Sequence, residues 1–185
     1  EEQAEDLAQK AEQLHNNRIK LGKSLSADIV NELQSLGMPN ARFEIRVEWR
    51  ETDNGWIEID GTPVECTEHG CDELQFFIST NKGEEPKPLY KIASGGEISR
   101  IMLALKSIIA REQSLPVMIF DEIDSGISGK ISEKVGRTMR ALSNSCQIIA
   151  ITHQPQIASQ AHAHYRVEKV EEDDRTVTQI TPLSD

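Results

Sequence analysis

The sequence is short of positive charge and of cysteine. It has 20 Lys and Arg residues against 31 Asp and Glu, which gives a formal net charge of −11. Nucleic-acid backbones are bound by clustered Lys and Arg and repelled by an acidic field, so this balance argues against a main nucleic-acid surface. The three cysteines are an odd number and do not make a disulfide framework, and we therefore expect a reducing compartment.

Long apolar runs and a secretion signal are also lacking. The longest apolar runs, residues 117–120 and 148–151, have the length of strands, so no segment is predicted to span a membrane. Residues 1–6 have neither a basic region nor an apolar region of the kind that directs secretion. We expect a cytoplasmic protein whose 185 residues suffice for one domain with a buried core.

A long helical pattern opens the chain. Its seam residues recur at alternating spacings of three and four, as in a coiled coil; they are Ala4, Leu7, Ala11, Leu14, Arg18, Leu21 and Leu25. The phase then moves to Ile29, Leu33 and Leu36, which predicts a coiled-coil stub over residues 1–36 that docks on a globular body. The pattern is already under way at the first residue with no cap, so we expect a longer chain.

Residues 37–185 predict an α/β lobe that includes a β-rich block. We predict strands at 43–49, 56–59, 74–80, 117–120, 147–151, 164–170 and 176–181, and helices at 97–111, 129–142 and 154–160. The strand at 56–59 is expected to return along the first one after a turn at 53–55. Continuous apolar strands between amphipathic helices predict a buried parallel sheet.

Ser94, Gly95 and Gly96 stand immediately before a predicted helix that opens with Glu97. Paired glycines let a ligand approach the backbone, and the free N–H groups of a first helical turn form an anion site. The Ser94 hydroxyl is a further donor for a phosphate oxygen. Taken alone, this run is more simply an N-terminal helix cap.

Polar residues follow two predicted strands at their carboxyl ends, where open α/β sheets bind ligands. Asp121 can hold a magnesium ion through water, and Glu122 can reach a water molecule that attacks a phosphate. His153 follows the neighbouring strand and can donate to a phosphate oxygen. The plainer alternatives are an Asp-Glu helix cap and a structural histidine, but the three features together and in this order form a strong signal.

Three stretches carry a family resemblance: residues 91–106, 119–129 and 151–158. They are similar to the signature sequence, the Walker B strand and the switch histidine of ATP-binding-cassette ATPases. Within that superfamily they resemble the SMC-like repair and chromosome proteins, and most of all the C-terminal part of the ATPase head of the RecN-like DNA repair family. Transporter cassettes usually have Asp where this chain has Ser128, so the resemblance does not extend to transporters.

The resemblance implies roles, cofactors and partners. Ser94, Gly95, Gly96 and Glu97 would meet ATP held by a second head, in trans. Asp121 would serve the Mg²⁺ site, Glu122 would be the general base and His153 the switch histidine. The implied partners are the N-terminal Walker A lobe of the same protein, a second head in a homodimer, and DNA bound through the full-length, nucleoid-associated protein. Without that lobe and dimer the fragment alone is expected to be inactive.

Two further motifs are weaker candidates. Gly22-Lys23-Ser24 resembles the end of a Walker A loop, but Asn17 stands where its first glycine belongs and no strand precedes it, so a helix is favoured. Cys66, His69 and Cys71 suggest zinc, yet no second ligand pair follows, which favours a loop between strands. The absent Walker A loop is expected, because the resemblance places it in the N-terminal part.

Three functions remain in view. The main hypothesis is half of the ATP-hydrolysing head of a DNA double-strand-break repair and recombination protein. The alternatives are a chromosome-structure SMC head and a dimerisation module that does not hydrolyse ATP. The acids and the histidine disfavour the module, and the stretch from Ile123 to Ser128 favours the repair protein over the chromosome protein.

Overall fold

The computed structural model describes residues 2–55, 57–92, 94–112, 115–121, 123–172 and 175–183. Ala93, which falls within the stretch 91–106, and the predicted base Glu122 lie outside the described residues. The elements in chain order are α1 (Glu2–Ser35), β1 (Arg42–Trp49), β2 (Ile57–Ile59), β3 (Thr62–Val64), β4 (Asp72–Ser79), β5 (Lys87–Pro88), a 3₁₀ helix (Leu89–Lys91), α2 (Gly95–Glu112), β6 (Val117–Asp121), α3 (Lys130–Leu142), β7 (Gln147–Ile151), α4 (Pro155–Ala158), β8 (His164–Glu172) and β9 (Arg175–Leu183).

The chain forms two compact units, Glu1–Ile108 and Ile109–Asp185, and the division falls within α2. This division reflects which residues pack together. The predicted boundary after residue 36 separates a coiled-coil arm from a lobe by their functions, and it stays a prediction. Nowhere in the described part of the chain is there a helix both long enough and apolar enough to cross a bilayer.

Helix α1 packs one face against the first unit, from Ala11 onward, and leaves its other face exposed. Leu21 is 67% exposed, whereas Ile29 and Leu33 are completely buried. The helix ends where Gly37 takes a φ of 84° and the Met38 N–H donates to the Leu33 carbonyl at 3.0 Å, the left-handed termination that glycine favours. The predicted docking of this helix is therefore confirmed, and the Gly22-Lys23-Ser24 run lies inside the helix, as expected.

The strand pairing of the first unit differs from the prediction. β1 pairs antiparallel with β4 over eight residues, from Arg42 opposite Ser79 to Trp49 opposite Asp72, and β5 adds to β4. The segment predicted to return along β1 instead pairs with β3. Asp60 and Gly61 both have positive φ, which makes a tight two-residue hairpin and sends the chain straight back along β2.

A disulfide between Cys66 and Cys71 corrects the expectation of unpaired cysteines. Thr67 and Gly70 form an antiparallel bridge whose N–H groups each donate to the other residue's carbonyl at 3.0 Å, and this tight turn brings the two cysteines together. With both sulfurs bonded to each other, they are not thiolate ligands. Within the described residues, no three metal-ligating side chains are grouped to hold an ion.

The second unit contains the parallel pair of strands that was predicted. β6 and β7 pair in register from Val117 opposite Gln147 to Asp121 opposite Ile151, and β8 and β9 form an antiparallel hairpin. The expectation that the parallel strands are buried on both faces is wrong. Met118 is 3% exposed, but Ile119 is 61% exposed, because side chains of a strand alternate between faces and only one face is covered here.

Candidate functional site

The signature run begins a helix, and that helix starts two residues earlier than predicted. Helix α2 starts at Gly95, and the Ser94 hydroxyl accepts a hydrogen bond from the Glu97 N–H at 3.4 Å, which makes Ser94 the N-cap. A side-chain carbon added at Gly95 would meet no atom within 4 Å, so the space beside it is open. An open helix N-terminus with first-turn N–H groups suits an anion. The capping and phosphate-binding interpretations are compatible.

Arg100, one turn further along α2, is a buried cation that the sequence analysis did not identify. It is 9% exposed, and burial lowers the pKa of its guanidinium, while the Glu97 carboxylate acts in the opposite direction. The pairing of Glu97 and Arg100 at a spacing of three on a helix was the signal available in the sequence. Both lie in the first unit.

Asp121 and His153 emerge at the same edge of the parallel pair. Asp121 is the last residue of β6 and lies opposite Ile151, the last residue of β7, so the loops that follow both strands start side by side. The side chain of Asp121 is exposed. Magnesium prefers such accessible carboxylate oxygens and keeps several of its waters. The carboxylate of Asp121 is therefore accessible to an ion, and its magnesium role stays a prediction.

A residue without an assigned role, Asp124, joins these two loops. Its side chain is 1% exposed. One oxygen, Oδ2, accepts hydrogen bonds from the Thr152 hydroxyl, from the His153 N–H at 2.9 Å and from the Gln154 N–H at 3.2 Å. The loop after β6 thus holds the loop after β7 through a single carboxylate.

Asp124 is held in its ionised form. Burial raises the pKa of its carboxyl group, but hydrogen bonds from the Thr152 hydroxyl and the His153 N–H, with the nearby His153 ring, outweigh burial and leave the pKa below its ordinary value. A second contact crosses between the loops, since the Gln154 side-chain amide donates to the Ile127 carbonyl at 3.3 Å.

The His153 ring is fixed on one side and accessible on the other. Nδ1 lies 3.2 Å from Asp124 Oδ2, while 74% of the side chain is exposed. An ionised carboxylate only accepts hydrogen bonds, so a ring that donates to Asp124 does so with its proton on Nδ1. To donate from Nε2 to a phosphate oxygen as well, the ring must carry its second proton.

Helix α4 supports the far end of the histidine loop. Gly136 of α3 lies so close to α4 that a side-chain carbon there would stand 3.0 Å from the Gln156 carbonyl oxygen and 3.2 Å from Ile157 Cα. The Arg140 side chain also donates to the Gln160 carbonyl at 3.1 Å. The start of α4 is therefore positioned by close packing as well as by Asp124.

Sequence reasoning identified the two loops but not what joins them. Asp124 stood in the quoted stretch after Glu122, and its burial could not be deduced from neighbours that include Ser125 and Gly126. Ser94 to Glu97 belong to the first unit, and Asp121 and His153 to the second. The structure brings together Asp121 and His153, and Glu122 lies outside the described residues.

Comparisons with known proteins give the family. A family model described as "RecF/RecN/SMC N terminal domain" matches residues 3–176. The DNA repair protein RecN of Bacillus subtilis is 40% identical over 181 residues, 97% of this chain and 31% of that protein. RecN of Haemophilus influenzae is 36% identical over 180 residues, 97% of this chain and 30% of that protein. The chain thus spans less than a third of the length of these relatives.

Among solved structures, an Smc head domain from Pyrococcus furiosus, with an extended coiled coil and bound to the C-terminal domain of ScpA, is similar in fold. Its TM-score is 0.62 at 19% identity, and the match covers 94% of this chain and 38% of that one. The fold is therefore similar to that of part of an SMC-type head. The chain belongs to the RecF/RecN/SMC family.

Proposed function

We propose that these residues form the C-terminal half of the ATP-binding and ATP-hydrolysing head of a RecN-like protein that acts in DNA double-strand-break repair and recombination. The observation that carries the proposal is the shared edge of β6 and β7. Asp121 ends one strand, Glu122 follows it, and His153 follows the other. An acid for magnesium, a base for the attacking water and a donor to the transferred phosphoryl group are what phosphoryl transfer requires.

ATP and magnesium would be held by separate groups of this chain. Asp121 would bind the ion through water, and the ion would neutralise charge that develops on the phosphates. Glu122 would take a proton from the attacking water, and His153 would hold a γ-phosphate oxygen. The cap of α2, with Ser94, Gly95, Gly96 and Glu97, would bind the phosphates of ATP on a second head. Two heads would thus share each nucleotide.

The order and content of the motifs favour the C-terminal part of the head. The sequence carries a signature, Walker B and histidine but no G-x-x-x-x-G-K-[ST] run. The family model's description names an N-terminal domain. The 30–31% coverage of the relatives does not say which part of them is covered. The proposal of a C-terminal half therefore rests on the motifs that the chain contains. An N-terminal Walker A lobe would then complete the head.

An uncovered apolar sheet face supports this missing lobe. Val117 and Ile119 of β6 are 45% and 61% exposed, and Ile149 and Ile151 of β7 are 44% and 56% exposed. Parallel sheets of α/β proteins are normally covered on both faces. We propose that the Walker A lobe covers this face, that α1 is the returning arm of a coiled coil, and that DNA is bound through the full-length protein at the nucleoid.

Substitution of the proposed base tests the function. In the full-length protein, Glu122→Gln should keep ATP binding and reduce ATP turnover by about 10³-fold or more, because the amide cannot accept the proton of the attacking water. ATP affinity is measured by equilibrium titration and turnover by phosphate release. The matched control is Glu133→Gln, which removes an exposed ion pair with Arg137 on α3 and should leave turnover unchanged.

Unchanged turnover in Glu122→Gln would remove Glu122 from the base role. If the unsubstituted full-length protein binds ATP, dimerises and yet releases no phosphate, the hydrolysing function is wrong and a dimerisation module takes its place.

A further inference from the structure

We propose that Asp124 is a positioning residue for ATP hydrolysis, which acts by fixing the backbone and the ring of His153 relative to the end of β6. The inference rests on the proposed function and deepens it, because it assigns a role to a residue outside the three motif positions. The geometry that carries it is one buried carboxylate oxygen that accepts three hydrogen bonds from the segment from Thr152 to Gln154 and lies 3.2 Å from His153 Nδ1.

Asp124 holds the backbone of the segment that follows β7. Two consecutive N–H groups, those of His153 and Gln154, donate to the same Oδ2 at 2.9 and 3.2 Å. The chain leaving β7 is therefore bent around Asp124 before α4 begins. Since Asp124 lies three residues beyond the last residue of β6, a shift of either loop would carry the other with it.

Asp124 also lies beside one nitrogen of the His153 ring. Asp124 Oδ2 lies 3.2 Å from His153 Nδ1, and most of the ring is open to solvent. Fixing Nδ1 sets the direction in which Nε2 faces a ligand. Gln154 Nε2 lies 3.4 Å from His153 Nε2, so a donor already occupies that side of the ring in this structure, and a phosphate oxygen would have to replace it.

The charge of Asp124 affects the protonation of the ring. An ionised Asp124 lets the ring carry both protons, because the carboxylate accepts from Nδ1 while Nε2 donates to phosphate. Asparagine at position 124 could still offer one oxygen to the backbone N–H groups but would remove the charge. Asp124→Asn therefore separates the contribution of the charge from that of the loop contacts.

The experiment is a double-mutant cycle in the full-length protein. Asp124→Asn should lower kcat on the order of 10²-fold, because it removes the charge that lets the His153 ring carry both protons. In a His153→Ala background the same substitution should leave kcat at the value of His153→Ala alone, because the ring through which Asp124 acts is absent. A further 10²-fold loss in that background, or an unchanged kcat in the single variant, would overturn the proposal.

Asp72→Asn is the matched control. Asp72 is also 1% exposed and contacts a histidine, but it belongs to the first unit, whereas Asp121 and His153 belong to the second. It should lower the thermal midpoint and leave kcat per folded molecule unchanged. If Asp124→Asn does not fold, Thr152→Val serves instead. It removes one donor to Asp124 while keeping both backbone contacts, and its smaller loss of kcat should also vanish in the His153→Ala background.

A second readout is independent of turnover. Hydrogen exchange of the His153 and Gln154 amides, followed by mass spectrometry, should be faster in an Asp124→Ala variant than in the unsubstituted protein. Both amides lose the Asp124 carboxylate, and the Gln154 amide keeps only the Thr152 hydroxyl oxygen at 3.1 Å. Unchanged exchange overturns the anchoring itself. Faster exchange in a protein that never hydrolyses ATP would leave the anchoring intact and overturn the proposed function, and the catalytic role of Asp124 with it.

Discussion

Each unit of the molecule buries one aspartate against a histidine, and the two pairs differ in what the histidine faces. His15 of α1 is 15% exposed, lies 2.5 Å from Asp72 and is stacked on Trp49 with 3.9 Å between ring centres. His153 is 74% exposed and has no such cover. Both carboxylates are shielded from water, so the accessibility of the ring, and not the burial of the acid, distinguishes the two pairs.

The first pair serves attachment. Asp72 also accepts from the Arg18 side chain at 2.8 Å, and Arg18 reaches on to the His69 carbonyl at 2.6 Å. The partners of Asp72 on α1 thus fix the helix to the start of β4 and to the disulfide turn before it. The second pair joins two loops and leaves its ring available to a ligand. A buried histidine–aspartate pair stabilises the fold in one case and can position a reacting group in the other.

Removal of each histidine ring should separate the roles of the two pairs most clearly. His15→Ala should lower the free energy of unfolding by about 3 kcal/mol, because it withdraws one partner from a buried carboxylate and breaks the stacking on Trp49. His153→Ala should change it by less than about 1 kcal/mol, as expected for an exposed pair, yet reduce turnover in the full-length protein about 10²-fold. Urea unfolding and phosphate release measure the two effects.

The opposite effects of the two substitutions would show that the two pairs do not have these separate roles. Reduced turnover per folded molecule in His15→Ala would mean that attachment of α1 also controls the chemistry. A large loss of stability in His153→Ala would make that ring structural. Imidazole added to the solution should restore part of the turnover of His153→Ala if the ring acts on the phosphate.

The elements predicted from sequence were those with a strong repeat. The apolar periodicity of α1, the alternation in β1 and the apolar run of β7 predicted helix and strand with boundaries close to those found. The β2–β3 hairpin was missed because β3 is only three residues long and contains Pro63, so the segment was assigned to no element. Its Asp60-Gly61 turn was the available signal.

The site was predicted as far as single residues at strand ends allow. Asp121 and His153 were identified because the carboxyl end of a parallel strand is where ligands bind. Asp124 was not, since its role depends on which loop packs over it, and pairing between loops 28 residues apart leaves no local pattern. The one-sided exposure of β6 has the same origin, because alternation reports which residues share a face and not whether that face is covered.

One helical glycine in each unit tests how closely its neighbours pack. Gly136→Ala should destabilise by about 1–3 kcal/mol, because the new carbon crowds the backbone of α4 at 3.0 and 3.2 Å. Gly22→Ala in α1 is the matched control: its nearest neighbour would be Ile45 Cβ at 3.5 Å, an ordinary contact, so the helix should gain up to about 1 kcal/mol. Thermal unfolding measures both, and a stabilising Gly136→Ala would contradict the packing argument.

The smallest effect concerns acid stability and isolates the charge of Asp124. Its pKa is lowered in the folded state relative to an unfolded value of about 3.9, so the stability contributed by its ionised form is present above that pH and lost as pH falls through the folded pKa. The difference in unfolding free energy between the unsubstituted protein and Asp124→Asn should therefore be present at about pH 5 and shrink below about pH 4. Urea unfolding at each pH measures it. If the difference stays constant into acid, Asp124→Asn destabilises the protein only by changing side-chain shape and hydrogen bonds. The charge beside His153 would then contribute nothing to folding.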